Sequence, residues 1–316
     1  MRRLAFAALA LLALLVALPT SASARSPLRL RQITGSTQVP PGQTITLTGR
    51  CRRHYVALSG DFTSFSNVVT LRSAPLGRRR WVFGAANISS SSGSFRVEVE
   101  CARLRPPSSV FTTRLRVTTR RRRITVPGSS TRSLSVRCPR GYLPAGYGAE
   151  RPGLAGAPAR AADIGAFGSL LVRKAKVVRR AWQFALRNNA TSPRDARMYA
   201  RCLKRRQVAR RKSTSTARAS GTEGEVLRFT FKEVEITRVD LRAGNNDDIM
   251  RHCPRRYKAV ETGHVFNDEA EVFTSFIELL RTGVWNIFAP SPETVELDLN
   301  CLRAGAWSWS QPGMPY

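Results

Sequence analysis

Six cysteines and a set of arginine runs are the residues whose types and spacing could do chemistry in this chain. The cysteines are even in number, and no pair has Cys-x-x-Cys spacing. Only three histidines accompany them, so a zinc site is disfavoured and neither a metal nor a cofactor is expected. Oxidation to disulfides is the chemistry left to them. The arginines offer anion binding. Arg78, Arg79 and Arg80 form one run, and Arg120, Arg121, Arg122 and Arg123 form another. Arg179 with Arg180, and Arg205, Arg206, Arg210 and Arg211, complete the set. Guanidinium forks fit the oxygens of phosphate and carboxylate groups two at a time. All of these are candidate polyanion contacts, and a solvated basic face without a dedicated partner is the competing reading.

Catalytic patterns are lacking. There is no Gly-x-Ser-x-Gly, no His-Glu-x-x-His and no phosphate loop. His54 and His252 sit beside cysteines and read as surface residues. Asp61 and Glu150 stand alone in a basic field, so paired-carboxylate hydrolysis has little support. The stretch Asp240 to Asp248 gathers oxygen ligands, but its spacing fits no EF-hand loop, and a solvated turn is the better reading. The expectation is a protein without enzymatic activity.

The elements that position these groups come in three copies. Cys51, Arg53 and Tyr55 are echoed by Cys138, Arg140 and Tyr142, and by Cys253, Arg255 and Tyr257. Each copy continues through a Phe-led pair of bulky residues and a Trp, namely Trp81, Trp182 and Trp285. Each ends in alternation towards a second cysteine: Phe95, Val97, Val99, Cys101; Ala196, Met198, Ala200, Cys202; Val295, Leu297, Leu299, Cys301. Period-two alternation is a strand with one buried face, and the cysteine shares that face. Six cysteines allow 15 pairings. The repeat selects Cys51 with Cys101, Cys138 with Cys202, and Cys253 with Cys301. Each closes a loop of about 50 to 65 residues, worth about 4 kcal/mol on the chain-entropy scale.

The expected fold class is all-β: tandem small antiparallel β-sandwich repeats, each closed by one disulfide. Residues 1–24 read as a signal peptide: Arg2 and Arg3, an apolar run from Leu4 to Leu18, and Ala22-Ser-Ala24 for cleavage. That run is short of the roughly 20 residues that span a bilayer. Repeat one is expected over 25–105, repeat two over 106–203, a flexible basic linker over 204–224 and repeat three over 225–316. In repeat one Val39-Pro-Pro-Gly42 is a turn signal. Val126-Pro-Gly128 matches it, one residue shorter, and repeat three lacks it. Residues 155–166 are read as a short helix, and Glu271 to Leu280 as a strand rather than a helix.

The formal charge of +31 is uneven. Residues 25–222 hold 40 Lys/Arg against 6 Asp/Glu, and residues 223–316 hold 10 against 15. A very basic body is joined to a mildly acidic third repeat, which bears on partners rather than on fold.

The Trp positions late in each Cys–Cys interval argue against an immunoglobulin topology. The pattern instead resembles a tandem repeat of secreted actinobacterial proteins, with a Val-Pro-x-Gly turn, a Cys-Pro-x-Gly start, a Trp strand ending in Asn and a strand ending in Cys. Repeat two carries it best, at Val126, Pro127, Gly128, Cys138, Pro139, Gly141, Trp182, Asn188 and Cys202. The resemblance implies an extracellular β module and no activity. The functional expectation is an exported protein that binds anionic envelope polymers, with non-specific nucleic-acid contact as a further partner. An adhesin with a neutral pocket, and a hydrolase whose residues meet only in the fold, remain the alternatives.

Overall fold

The computed structural model of the chain describes residues 26–64, 68–151, 170–211, 224–241, 246–266, 271–278, 282–288 and 293–309. The expected signal peptide and the helix expected in 155–166 lie outside them. Every regular element among the described residues is a strand. Repeat one is β1 (Leu28–Val39), β2 (Thr44–Arg50), β3 (Val56–Ser64), β4 (Val68–Leu76), β5 (Arg80–Asn87) and β6 (Gly93–Leu104). A short β7 (Phe111–Thr113) follows. Repeat two is β8 (Val117–Val126), β9 (Ser130–Arg137), β10 (Tyr142–Glu150), β11 (Leu170–Val178), β12 (Ala181–Asn188) and β13 (Arg194–Lys204). After β14 (Arg206–Arg211), repeat three is β15 (Gly224–Leu241), β16 (Asn246–His252), β17 (Lys258–Phe266), β18 (Glu271–Glu278), β19 (Thr282–Phe288) and β20 (Glu293–Ala304), with a terminal β21 (Ser308–Trp309).

In each repeat the first, sixth and third strands form one antiparallel sheet, and the second, fifth and fourth form the other. The disulfides Cys51–Cys101, Cys138–Cys202 and Cys253–Cys301 tie the two sheets together, at Cα separations of 5.7, 5.6 and 5.7 Å. Alternation is the cause. Phe95, Val97, Val99 and Cys101 all face one core with Trp81 and Phe83, and Met198, Ala200 and Cys202 face another with Trp182 and Phe184. Burying such a face supplies about 25 cal/mol per Å² of apolar surface.

The sheets do not stop at repeat boundaries. Strand β10 of repeat two pairs with β4 of repeat one, β17 of repeat three with β11 of repeat two, and β3 of repeat one with β18 of repeat three. The three repeats therefore close a cycle. The joins are in one register: Ala149 faces Ser73, His264 faces Ala175, and Phe62 faces Ser275. A bulge lies at the matching place in β3, β10 and β17, after Ala57, Pro144 and Ala259. A bulge bends its strand and sharpens the local twist, and beyond it each third strand stays paired with the sixth strand of its own repeat while its other edge takes the neighbour's fourth strand. One apolar cluster then spans all three repeats, with Leu58, Leu104, Leu203, Phe229, Val260 and Leu302 among its members.

Three expectations need correction. Residues 206–211 are not linker: they form β14, which pairs with β15 from Arg206–Arg228 to Arg210–Gly224 and also with β7. A strand pattern too short to read against the arginines hid it. The rest of the expected linker, 212–223, lies outside the described residues. The turn after Val126 is not shorter than the one after Val39. In both, the residue three beyond Val has positive φ, Gly42 at 64° and Ser129 at 50°. Gly128 serves another end, because a Cβ there would collide with the Thr191 carbonyl oxygen. Finally, Trp285 is not the counterpart of Trp81 and Trp182. Those two pair with Gly49 and Val136, two residues before a cysteine, whereas Trp285 pairs with Ile249, four before Cys253. Gly283 holds the equivalent place.

Candidate functional site: an arginine groove in repeat two

Among the described residues β8 and β9 are the edge strands of their respective sheets, and they run side by side along one rim of repeat two. Between them opens a groove of about 400 Å³ lined by Arg120, Arg121, Arg122, Arg137, Arg140 and Arg180, with Val136, Cys138 and Pro139. Four segments supply the arginines. β8 gives Arg120 to Arg122, and the end of β9 gives Arg137. The turn after Cys138 gives Arg140, and the β11–β12 hairpin gives Arg180. Local geometry fixes each. Gly141 at φ 79° closes the turn that carries Arg140, with Tyr142 N donating to Pro139 O at 3.1 Å. Cys138 N donates to Arg180 O at 2.8 Å, which holds the hairpin against the turn. Arg122 Nη1 donates to Ser135 O at 3.1 Å, from one edge to the other.

The other repeats act as internal controls. Arg120, Arg121 and Arg122 pair with Ala200, Tyr199 and Met198 on the sixth strand of their repeat. The same places hold Ile33, Thr34 and Gly35 in repeat one, opposite Val99, Glu98 and Val97. In repeat three they hold Val234, Glu235 and Ile236, opposite Leu299, Asp298 and Leu297. Two of the three positions lie on the core-facing side of their strand. Repeats one and three fill them with apolar residues or glycine, whereas repeat two fills them with arginine. The remaining three groove arginines belong to the shared frame: Arg137, Arg140 and Arg180 correspond to Arg50, Arg53 and Arg79.

Among the described residues, no carboxylate compensates the groove. None of its six arginines takes part in an ion pair among the described residues. The next residue along β8, Arg123, does pair, with Asp195. The Arg123 hydrogen bond, then that of Thr125, holds the Asp195 carboxyl below its usual range.

Of the arginines singled out from the sequence, the fold gathers Arg120, Arg121, Arg122 and Arg180. The others do not line the groove. Arg78 donates to Leu115 O at 2.8 Å, and Arg79 receives Cys51 N at 2.8 Å. Arg80 is exposed on β5, and Arg179 occupies the hairpin with φ 57°. Arg205 bridges Gly141 O and Phe229 N through its backbone. Arg206, Arg210 and Arg211 lie on β14, towards the far end of the sheet that β9 closes. Arg137 and Arg140 were missed as site residues because each is single in sequence. Arg140 had a signal nonetheless, since arginine recurs two residues after the first cysteine of every repeat.

A second polar cluster lies where the repeats meet. Asp61 is not isolated: it meets Glu261 of repeat three, and both are buried. Burial pushes the Asp61 carboxyl up to about 7, and the nearby Glu98 adds to the rise. Burial, then the charge of Asp61, raises Glu261 well above the usual range. Tyr147 N and Thr262 N both donate to Glu261 at 3.1 Å. Glu100 is 1 % exposed and neither of its carboxyl oxygens has a hydrogen-bond partner. Its counterparts are Arg201 and Asn300, each the residue before the second cysteine. Arg201 donates to Ala57 O, Gly77 O and Arg78 O at 2.9, 3.0 and 2.9 Å, so repeat two grips the backbone of repeat one. Burial lowers its pKa to about 10, which leaves it charged at neutral pH. Glu150, also expected to be isolated, accepts from Arg197 at 3.0 Å and from Tyr199. His54 and His252 are exposed, and His264 is buried against Val172 O at 3.0 Å. Residues 242–245 of the oxygen-rich stretch lie outside the described residues.

Three disulfides fit an oxidising compartment. Among the described residues, no helix is long and apolar enough to cross a membrane, and no three His, Cys, Asp or Glu side chains stand where they could hold a metal ion. No protein-family model and no curated protein matches the chain.

Proposed function

We propose that this chain is an exported, non-enzymatic protein that binds anionic polymers at the cell envelope or extracellular surface. Repeat two is the binding unit and the arginine groove is its site. The observation that carries this reading is six uncompensated guanidiniums in one groove, three of them at positions where the other repeats carry none. Packed like charges repel, and among the described residues no acid pairs with them. A sequence that breaks the packing rule of its own repeats at one rim is expected to do so for function. The basic body around the groove steers polyanions towards it.

The test is binding of the oxidised mature chain to isolated envelope and to duplex DNA across a salt series. Affinity is expected to fall steeply with salt, with a log–log slope of about 0.7–0.9 per phosphate contacted. Replacing Arg120→Val with Arg122→Ile, the residues of repeat three, is expected to weaken binding and flatten the slope. Binding indifferent to salt, or equal in the variant, would overturn the proposal.

A further inference from the structure

We infer that the groove selects closely spaced phosphates, as in a condensed phosphate chain or a multiply phosphorylated headgroup, over polymers with carboxylate charges. This rests on the polyanion reading above and narrows it. The first reason is charge density. Six arginines share about 400 Å³, so a ligand with one charge per sugar leaves most of them unmatched. The second is direction. The arginines arrive from β8, β9, the Cys138 turn and the β11–β12 hairpin, not from one plane. A carboxylate presents two oxygens in a plane and takes one fork well. A phosphate presents three acceptor oxygens in a tetrahedral shell and takes forks from several sides at once. The third is what the lining lacks. No aromatic side chain borders the groove, so it has no platform for a base or a sugar ring. All six cations are arginine and none is lysine, the choice suited to bidentate contact with phosphate.

The experiment is calorimetry on the full oxidised chain at physiological salt. The probes are tripolyphosphate, orthophosphate, citrate, long-chain polyphosphate and polygalacturonate. Tripolyphosphate is expected to bind at least tenfold more tightly than citrate or orthophosphate, and polyphosphate at least tenfold more tightly than polygalacturonate. Vesicles carrying a lipid-linked diphosphate separate a membrane-borne source from a soluble one, and binding to either supports the inference. Arg120→Val with Arg122→Ile is expected to abolish the preference. Arg180→Gln, at an exposed hairpin position, is expected to weaken tripolyphosphate several-fold without touching the sandwich. Arg29→Gln with Arg31→Gln removes equal charge from β1 and is expected to leave binding unchanged. Equal affinity for phosphate and carboxylate probes would overturn the inference and leave the polyanion reading standing. Absence of binding by every probe would overturn both.

Discussion

At the residue scale, two buried asparagines explain a sequence motif. Asn87 donates to Val39 O and Ser91 O, both at 2.7 Å, and accepts from Ser89 N. Asn188 donates to Val126 O, Pro127 O and Ser192 O and accepts from Ala190 N. Each pins the end of the fifth strand to the Val-Pro turn. Repeat three has lost the turn and the asparagine together because they are one device. Asn188→Ala strands three carbonyls and is expected to lower stability by about 2 kcal/mol or more in a urea melt. The turn after each first cysteine carries a second residue-scale rule. Its third position has positive φ in all repeats: His54 at 70°, Gly141 at 79° and Arg256 at 73°. Left-handed backbone costs a side chain about 1–2 kcal/mol, offset in part by the greater unfolded entropy of glycine. His54→Gly is therefore expected to stabilise by about 0.5 kcal/mol, and Gly141→Ala to destabilise by about 1 kcal/mol. Denaturant midpoints that move the other way would reject the assignment.

At the scale of elements, the junction of β3, β6 and β17 holds acids whose carboxyls burial pushes above their usual range. The folded-state pKa of Asp61 lies above its ordinary value of 3.8, at about 7. Its contribution to stability is full below pH 3.8 and is lost as pH rises through 7. His264 works the other way: its pKa falls from 6.5 to about 4, so its contribution is lost as pH falls through that lower value. The window from pH 6.5 to 8 separates the two. Melting temperature is expected to fall across it, and Asp61→Asn is expected to shrink the fall. A wild-type melting temperature that is flat or rising there would show that the junction does not titrate as described.

At the scale of the molecule, the cycle of sheets makes the three repeats one unit. Repeat three lends β18 to β3 and takes β11 beside β17, and it contributes Leu227, Phe229, Val260 and Leu302 to the shared cluster. The acidic repeat is thus held to the basic body by strand pairing and apolar burial. A single cooperative unfolding transition is expected in calorimetry of the oxidised chain. A fragment ending at Thr222 exposes three sheet edges, on β3, β11 and β14, and one side of that cluster, and it is expected to aggregate. Three separate transitions, or a monomeric and folded fragment, would contradict the cycle. A ligand bound to the native state alone stabilises it, so on the phosphate proposal tripolyphosphate is expected to raise the melting temperature in proportion to the logarithm of its concentration.

The sequence by itself determined the triplication, the three disulfide pairs and the strand class. All of these are local patterns: alternation puts Cys101, Cys202 and Cys301 on buried faces, and a repeated frame selects their partners. It determined the burial of Trp81 and Trp182 for the same reason. Only the tertiary structure decided the rest. The counterpart of Trp182 in repeat three is Gly283, because register follows hydrogen bonding and not the most visible residue. β14 is a strand because β15 and β7 offer it edges. Asp61 meets Glu261 through a cycle that links residues far apart in the chain. The groove likewise exists because two sheet edges meet at one rim, and that meeting brings Arg137, Arg140 and Arg180 to the arginines of β8.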